Sequence, residues 1–206
     1  MFPLGSVLFP GQLLPLHIFE PRYQQMLQYC LRSTPEFGVV LIQRGHEVGG
    51  GDLRSDIGTV ATILESVEVQ PGHWAIVAGG TRRVQVQRWH RDDPWPSADV
   101  VDLDDVDGDD PAVAALWTGL QRQWLQVLAL SAELDNDVDP SAHDYVDDAT
   151  LGSFQIAALS PLGSFDRQKV LATVGLVPRL TLLTGLLGEA ADTIRAEIAL
   201  GGGLDQ

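Results

Sequence analysis

The feature that most constrains the fold is a change of hydrophobic pattern at the acidic segment 104–111, Asp-Asp-Val-Asp-Gly-Asp-Asp-Pro. Before this segment, short apolar runs rich in Val, Ile and Thr are separated by Pro and Gly, which predicts β-strands. After it, apolar residues recur every three or four positions, which predicts helices. Strands followed by helices are typical of an α+β protein. We therefore expect a β-rich subdomain over 1–103, an α-helical bundle over 104–200 and a flexible tail over 201–206.

The β-rich region is predicted to hold about six strands and one helix. Two apolar runs, each bounded by Pro or Gly, predict two short strands at the start, and the step Glu20-Pro21 then predicts the start of a helix because Pro suits the first helical turn. Ala78–Thr81 is expected to interrupt strand pairing, and in the strand that follows Arg83 is expected to face water. The later strands are predicted over 37–42, 57–69, 73–77, 82–89 and 98–103.

The second region is predicted to be helical throughout. Asp110-Pro111 can provide a helix cap and a first helical residue. Apolar residues at helical spacing then predict helices over 113–128, 151–159, 165–174 and 178–200. A second acidic loop is expected between the first two of these helices, over 131–148.

Charge is distributed unevenly along the chain. The sequence has 13 cationic and 28 acidic side chains, a net charge of −15, and residues 92–150 hold one Arg against 16 acids. We interpret this excess as solvated surface, and its field would repel a phosphate backbone, which argues against nucleic acid as a partner. No apolar stretch approaches the ~20 residues of a membrane-spanning helix, and the start lacks a basic signal-peptide region. We therefore expect a cytoplasmic protein with no membrane partner.

Several segments resemble the N-terminal, substrate-binding domain of Lon proteases. The first are Pro-Leu-Gly-Ser-Val-Leu-Phe-Pro over 3–10, Leu-Pro-Leu-His-Ile-Phe-Glu-Pro-Arg-Tyr over 14–23 and Ile-Gly-Thr-Val-Ala-Thr-Ile over 57–63. The segment 78–86 resembles the Gly-x-x-Arg strand of that domain, and the segments 159–162, 168–171 and 179–180 fit its final helices. The resemblance implies a PUA-like β pseudo-barrel of about six strands with one helix, followed by the helical bundle. It also implies substrate recognition rather than proteolysis.

The residues that an ATPase or a Ser-Lys peptidase would need are not recognisable. Gly49-Gly-Gly-Asp52 lacks the Gly-Lys-Ser/Thr end of a phosphate-binding loop, so we expect no nucleotide cofactor. The single lysine, Lys169, lies in a polar stretch where its default state is charged and solvated. The five histidines are scattered, so no metal site is expected, and Cys30 lies in an apolar helical pattern typical of a buried thiol. We therefore expect a stand-alone, non-catalytic domain.

We expect the ligand to be an unfolded or extended polypeptide, bound at an exposed strand edge or in a groove between the sheet and the helices. The partner would include an ATP-dependent protease encoded separately. Replacing Tyr23 by Ala is expected to weaken binding and leave the thermal midpoint unchanged. For Trp95, the alternative is that its ring covers the seam between sheet and bundle. The candidate polypeptide contacts are Phe19, Pro21, Arg22, Tyr23, Arg83 and Trp95.

Two other classes of function remain open from the sequence. PUA-like folds include RNA-binding modules, and Arg82, Arg83, Arg88 and Arg91 form the most basic part of the chain. The same arginines could instead protect a sheet edge or pair with local carboxylates. An RNA-binding module predicts affinity that falls steeply with salt. A hydrolase predicts cleavage by the purified chain alone.

Overall fold

The computed structural model describes residues 1–45, 53–134 and 145–201, and it divides the chain into two compact units, Met1–Asp104 and Asp105–Gln206. The described residues of the first unit form a six-stranded sheet with one helix, and those of the second form four helices. The predicted α+β class is confirmed. No helix in these three ranges has both the length and the apolar character needed to cross a bilayer.

The sheet of the first unit is mixed, with the strand order β1-β3-β4-β5-β2 and with β6 paired to β5. β1 runs parallel to β3, and the remaining pairs are antiparallel. β1 and β2 lie at opposite ends of the strand order, so within the described residues each pairs along one edge only. The strands are β1 (Phe2–Leu4), β2 (Leu13–Ile18), β3 (Glu36–Arg44), β4 (Leu53–Gln70), β5 (His73–Trp89) and β6 (Ala98–Asp102).

Helix α1 (Pro21–Arg32) packs one apolar face on the sheet. Pro21 is tolerated because the first helical N–H has no acceptor within the helix. Cys30 is 5% exposed and its Sγ lies 3.2 Å from the carbonyl oxygen of Glu36, and burial raises the pKa of this thiol. The interpretation of Cys30 as a buried structural thiol is confirmed. The buried face of α1 consists of Tyr23, Met26, Leu27 and Cys30.

The predicted interruption of pairing at Ala78–Thr81 is wrong, because β5 continues through these residues with a register shift opposite Val60 and Ala61. Glycine at position 80 lets a neighbouring segment cross closely: a Cβ there would lie 2.2 Å from the carbonyl oxygen of Phe9. The Gly80 N–H donates to the carbonyl of Gln12 at 2.9 Å. The Gly-Gly pair therefore admits a backbone crossing and does not end the strand.

The expectation that Arg83 faces water is also wrong. Arg83 pairs with Thr59 across the β4–β5 ladder and is 4% exposed, while Thr59 is fully buried. An arginine can bury its aliphatic stem against apolar neighbours, so simple alternation along a strand does not place it in solvent. The neighbouring Gln85 and Gln87 are exposed as predicted.

The second unit consists of α2 (Val113–Leu134), α3 (Ala149–Leu159), α4 (Ser164–Ala172) and α5 (Leu176–Gly201). The two long helices α2 and α5 pack against each other. Leu120, Val127 and Leu187 are at most 1% exposed and belong to the core of this unit. Asp110 accepts a hydrogen bond from the Ala112 N–H at 2.8 Å, so it caps the turn that leads into α2. The helix itself begins two residues after Pro111.

Part of the acidic segment is structural, although its sequence predicted solvated surface. Asp105 forms an ion pair with the fully buried Arg179 at 2.6 Å. Asp107 accepts hydrogen bonds from the N–H groups of Leu176 and Val177, the latter at 2.9 Å, where α5 begins. These donors hold the pKa of the Asp107 carboxyl below its ordinary value. The segment therefore supplies the charge and the hydrogen-bond acceptor that the start of α5 needs.

Candidate functional site

The candidate site is a cleft between the two outermost strands of the sheet. Its wall includes Phe2 and Leu4 of β1 as well as four residues of β2. Because β1 and β2 are the two end strands, the sheet must be curved enough for both of its edges to border the same cleft. The cleft has a volume of 230 Å³, which is below the ~300–1,000 Å³ of small-molecule sites and suits one or two side chains. We call it the inner cleft; its lining residues are Phe2, Leu4, Pro15, Leu16, His17, Ile18, Phe19, Glu20 and Tyr23.

The rim of the inner cleft carries a group of rings contributed by β2, by the β2–α1 connection and by β5. The centroids of the His17 and His73 rings are 5.3 Å apart, and the Phe19 ring lies 6.0 Å from His17 and 6.4 Å from His73. Phe19 is 48% exposed, which is high for a large apolar side chain. The Phe19 ring is therefore available to another molecule at the mouth of the cleft.

Polar contacts at the start of α1 hold Phe19 in place. The Gln24 side chain donates to the backbone carbonyl of Phe19 at 2.6 Å. Glu20 and Arg22 form an ion pair at 3.0 Å, and the Arg22 guanidinium stacks over the Tyr23 ring at 4.5 Å. Pro21 is exposed beside them at the first helical position. Four of the six predicted contacts thus lie at or beside the cleft: Phe19, Pro21, Arg22 and Tyr23.

Tyr23 belongs to the core as much as to the cleft. It is 3% exposed, and its ring stacks on Phe2 with the centroids 4.2 Å apart. The expectation that Tyr23→Ala would leave the thermal midpoint unchanged is therefore corrected: removing a buried aromatic ring leaves a cavity and destabilises the fold. Tyr23 forms part of the floor of the inner cleft.

The other two predicted contacts lie elsewhere in the first unit. Arg83 is buried on β5 and does not line the inner cleft. Trp95 is half-buried, with its ring 5.8 Å from that of Tyr29, and it packs against the core of the sheet unit. The structure therefore does not bring Arg83 or Trp95 to Phe19, Pro21, Arg22 and Tyr23.

A second, wider depression lies on the other side of β2. It has a volume of 470 Å³ and spans the outer face of β2, β5 and β4. Val67 is 60% exposed there, and Glu65 is the acidic residue that lines it. We call it the outer cleft; its lining residues are Pro15, Leu16, His17, Glu65, Val67, Ala75, Ile76 and Val77. Because Pro15, Leu16 and His17 line both clefts, β2 is the partition between them.

Carboxylates contact several basic side chains of the β-rich region, among them Arg82, Arg88 and His90. Arg82 contacts both Glu36 and Asp102, at 3.2 and 3.1 Å, and these partners raise the pKa of its guanidinium, with the hydrogen bonds to Glu36 as the largest cause. His90 and Arg88 both contact Asp99, and the hydrogen bond with His90 is the first cause of the lowered pKa of that carboxyl. Such pairing reduces the positive potential that a nucleic acid would require.

Lys169 does not have the features of a catalytic base. Its Nζ lies 2.8 Å from Asp166, and this partner raises the pKa of the ammonium group, whereas a catalytic lysine needs a lowered pKa. Residues 1–45, 53–134 and 145–201 contain no cluster of three or more His, Cys, Asp or Glu arranged to hold a metal ion. His46, His143 and the loop Gly49–Asp52 lie outside the described residues.

Sequence reasoning missed the role of β1 and β2 as the two walls of the inner cleft. Phe2, Leu4 and Leu16 had no polar or unusual feature to distinguish them from core residues, and the meeting of two sheet edges follows from the strand order. One signal was present: Pro15 inside an apolar run is typical of an edge strand, because proline cannot donate to a neighbour. His73 was missed because it lies far from Phe19 in the sequence.

The chain is an α+β domain with an apolar cleft at the edges of its sheet. Residues 1–189 match the family described as the ATP-dependent protease La (LON) substrate-binding domain. The chain therefore belongs to the family of Lon substrate-binding domains.

The curated relatives are Lon proteases much longer than this chain. The Lon protease of Methylocella silvestris is 25% identical over 199 residues, which are 96% of this chain and 24% of that protein. The Lon protease of Anaeromyxobacter dehalogenans is 27% identical over 194 residues, or 93% of this chain and 23% of that protein. The chain thus spans about a quarter of these relatives.

Solved structures agree with this assignment. The crystal structure of a Lon N-terminal domain protein from Xanthomonas campestris superposes with a TM-score of 0.65 at 29% identity, covering 89% of this chain and 95% of that one. The N-terminal domain of Lon protease from the Mycobacterium avium complex gives a TM-score of 0.64 at 19% identity, covering 90% of this chain and 96% of that one. At that identity the second comparison shows the fold alone.

Proposed function

We propose that this domain binds unfolded or extended polypeptide segments and has no catalytic activity of its own. The observation that carries the proposal is the inner cleft, an apolar space between two sheet edges with the exposed ring of Phe19 at its rim. Apolar side chains are exposed in unfolded polypeptides and buried in folded ones, so a small apolar cleft distinguishes the two states. Membership of the Lon substrate-binding family supports the same ligand class.

In this proposal, the bound polypeptides are passed to an ATP-dependent protease in the cytoplasm. The ATPase and peptidase activities belong to that protease, whether it is linked to this domain or encoded separately. Phe19 and Tyr23 contact the ligand, and the ion pair of Glu20 with Arg22 keeps the start of α1 in position beside it. Arg83 and Trp95 act only through the stability of the sheet unit.

The test is a titration of the purified chain with a fluorescently labelled, permanently unfolded protein, carried out over a range of salt concentrations with unlabelled RNA as competitor. We expect saturable binding that persists at high salt, since apolar burial is not screened by ions, and that RNA does not displace. Salt-sensitive binding displaced by RNA would instead indicate the RNA-binding alternative. Cleavage of the labelled protein by the chain alone would contradict the non-catalytic assignment.

A pair of variants locates the site. Phe19→Ala removes the ring at the rim of the cleft and is expected to weaken binding at least about fivefold, as truncating an interface aromatic does. Phe165→Ala removes a ring that is 68% exposed in the helical unit, and it is expected to leave the affinity unchanged. Equal effects of the two substitutions would show that the inner cleft is not the binding site.

A further inference from the structure

The backbone of β2 has a fixed orientation relative to β5. Leu13 to Ile18 pair with Gly79 to Trp74 without a register shift, and the Gly80 N–H donates to the Gln12 carbonyl one step before this run. In an antiparallel ladder, successive residues alternate between bonding to the partner and facing away from it. Leu14, Leu16 and Ile18 therefore use their backbone groups in the ladder, and Leu13, Pro15 and His17 direct theirs to the other edge.

Proline at position 15 agrees with this orientation. A proline has no N–H to donate, so within a sheet it occurs where the ladder does not require one. No strand pairs with the second edge of β2 in the described part of the chain. That edge therefore presents the N–H groups of Leu13 and His17 and the carbonyl groups of Leu13, Pro15 and His17.

We propose that the bound polypeptide adds to this free edge of β2 as a further strand. The inference rests on the proposed function and specifies how the ligand is bound. Strand addition matches the unpaired backbone groups of the edge to those of an extended chain, so affinity comes from main-chain hydrogen bonds and specificity from alternate side chains. A folded protein cannot offer such a segment unless part of it is unpaired.

The two clefts determine which side chains the added strand carries. Side chains opposite Leu14 and Leu16 project to the same face as these residues, which is the side of the inner cleft and of the core. Side chains opposite Pro15 and His17 project to the opposite face, beside the outer cleft. The preferred ligand therefore has apolar side chains at every second residue, and the intervening residues lie on a wider and more exposed surface.

The acidic residues that line the two clefts also limit which polypeptide segments are expected to bind. Glu20 lines the inner cleft and is partly neutralised by Arg22, and Glu65 lines the outer cleft. Asp or Glu in the added strand would face these carboxylates, whereas Lys or Arg at its ends would not be repelled. We therefore expect extended segments that are apolar at alternate positions, flanked by basic residues and free of acidic ones.

N-methylated peptides distinguish strand addition from simple burial in a groove. The parent probe is the labelled peptide Lys-Val-Thr-Val-Thr-Val-Thr-Lys, with Val directed to the inner cleft. The added strand runs antiparallel to β2, so the N–H groups that bond the β2 edge belong to the Thr residues, which lie directly opposite Leu13, Pro15 and His17. N-methylation of all Thr residues is expected to weaken binding at least about tenfold, and N-methylation of all Val residues is expected to change it about twofold or less.

A matched pair of variants tests the same edge from the side of the protein. His17→Pro removes the edge N–H without removing a bond of the β2–β5 ladder, and His17→Ala keeps that N–H and removes the ring. Both variants lose the imidazole ring, so we expect His17→Pro to bind the parent peptide at least about fivefold more weakly than His17→Ala. Circular dichroism checks that both variants are folded. Equal losses would contradict strand addition, because the imidazole ring would then be the common cause.

The outcomes separate this inference from the proposed function. If both methylated series bind as well as the parent peptide while Phe19→Ala still weakens binding of the unfolded protein, polypeptide recognition stands and strand addition is overturned. If neither the parent peptide nor the unfolded protein binds, the proposed function itself fails. Selective loss in the Thr series, together with the difference between His17→Pro and His17→Ala, supports strand addition.

Discussion

The two units of this chain differ in where particular charged groups lie. The sheet unit has ion pairs that are open to solvent, with the Arg82 and Arg88 side chains 44% and 71% exposed, and it leaves the edges of β1 and β2 without further strands in the described residues. The helical unit places Arg179 fully inside, pairs it with Asp105 and uses Asp107 to accept the first N–H groups of α5. A region that buries an ion pair and caps a helix with a carboxylate is suited to stability. A region that leaves an edge open is suited to binding.

The largest loss of stability is expected when the buried ion pair of the helical unit is broken. Arg179 also donates to Ser153 Oγ at 3.1 Å and stacks over the Phe154 ring at 4.0 Å. Arg179→Ala leaves the Asp105 carboxylate without its guanidinium in a buried position, which is expected to lower the free energy of unfolding by about 3–5 kcal/mol. Urea unfolding followed by far-UV circular dichroism measures the change.

Arg82→Ala is the matched control in the sheet unit. Its ion pairs with Glu36 and Asp102 are exposed to solvent, so its loss is expected to change the free energy of unfolding by about 1 kcal/mol or less. Similar effects of Arg179→Ala and Arg82→Ala would remove the proposed difference between the two units.

The next effect concerns Tyr23, which serves both the core and the cleft. Tyr23→Ala removes a ring that stacks on Phe2 and is expected to cost about 3 kcal/mol of stability. Tyr29→Ala removes a ring that is 59% exposed on the same helix, and about 1 kcal/mol or less is expected for the loss of its contact with Trp95. Thermal unfolding of both variants checks the order; a larger loss for Tyr29→Ala would contradict the packing described above.

A smaller effect is expected at the glycine pair of β5. Gly80→Ala would bring a methyl group into contact with the backbone of Phe9, where only displacement of the crossing segment relieves it, at a cost of about 1–3 kcal/mol. At Gly79 the nearest atom is Leu64 Cδ1 at 3.4 Å, which is the end of a flexible side chain. Gly79→Ala should therefore be nearly neutral, and comparison of the two urea midpoints tests the backbone crossing.

The smallest effect depends on pH. Because the N–H groups of Leu176 and Val177 lower the pKa of Asp107 in the folded state, ionised Asp107 stabilises the helical unit above the ordinary pKa of ~3.9. This contribution is lost as the pH falls through the lowered folded-state pKa. Asp107→Asn should reduce the thermal midpoint at neutral pH, and the difference from wild type should shrink in acid.

Asp109→Asn is the control for this pH effect, since it removes the same charge from an exposed neighbour in the acidic segment. Its thermal midpoint is expected to follow that of wild type at both pH values. A difference between Asp107→Asn and wild type that does not change between neutral and acidic pH would show that the carboxylate charge is not the stabilising feature.

The fold class could be predicted from the sequence because the hydrophobic period changes clearly at the acidic segment. The start of helix α1 was predicted from Glu20-Pro21, because the preference of proline for the first helical turn is a local property. The course of β5 through Gly79 and Gly80 was not predictable, because the sequence does not distinguish a glycine that permits a backbone crossing from a glycine that ends a strand.

The candidate site was predictable only in part. The segment Phe19 to Tyr23 was chosen for its position at the predicted start of the first helix, and it lies at the inner cleft. Arg83 was chosen from charge and alternation, but its register opposite Thr59 buries it. The opposite wall, formed by Phe2 and Leu4, depends on which strands lie at the ends of the sheet, and that order is a property of long-range pairing.

The strand order also has a consequence for the time at which the site forms. Both walls formed by β1 and β2 come from residues 2–18, yet among the described residues β1 pairs only with β3 and β2 only with β5, which ends at Trp89. During synthesis, β2 therefore cannot pair with β5 until about 60 further residues have been synthesised. Pairing across so long a loop is slow compared with closing the β4–β5 hairpin. The cleft therefore forms only after the pairing of β1 with β3 and of β2 with β5, so a chain with a working site has already assembled the long-range pairs of this sheet.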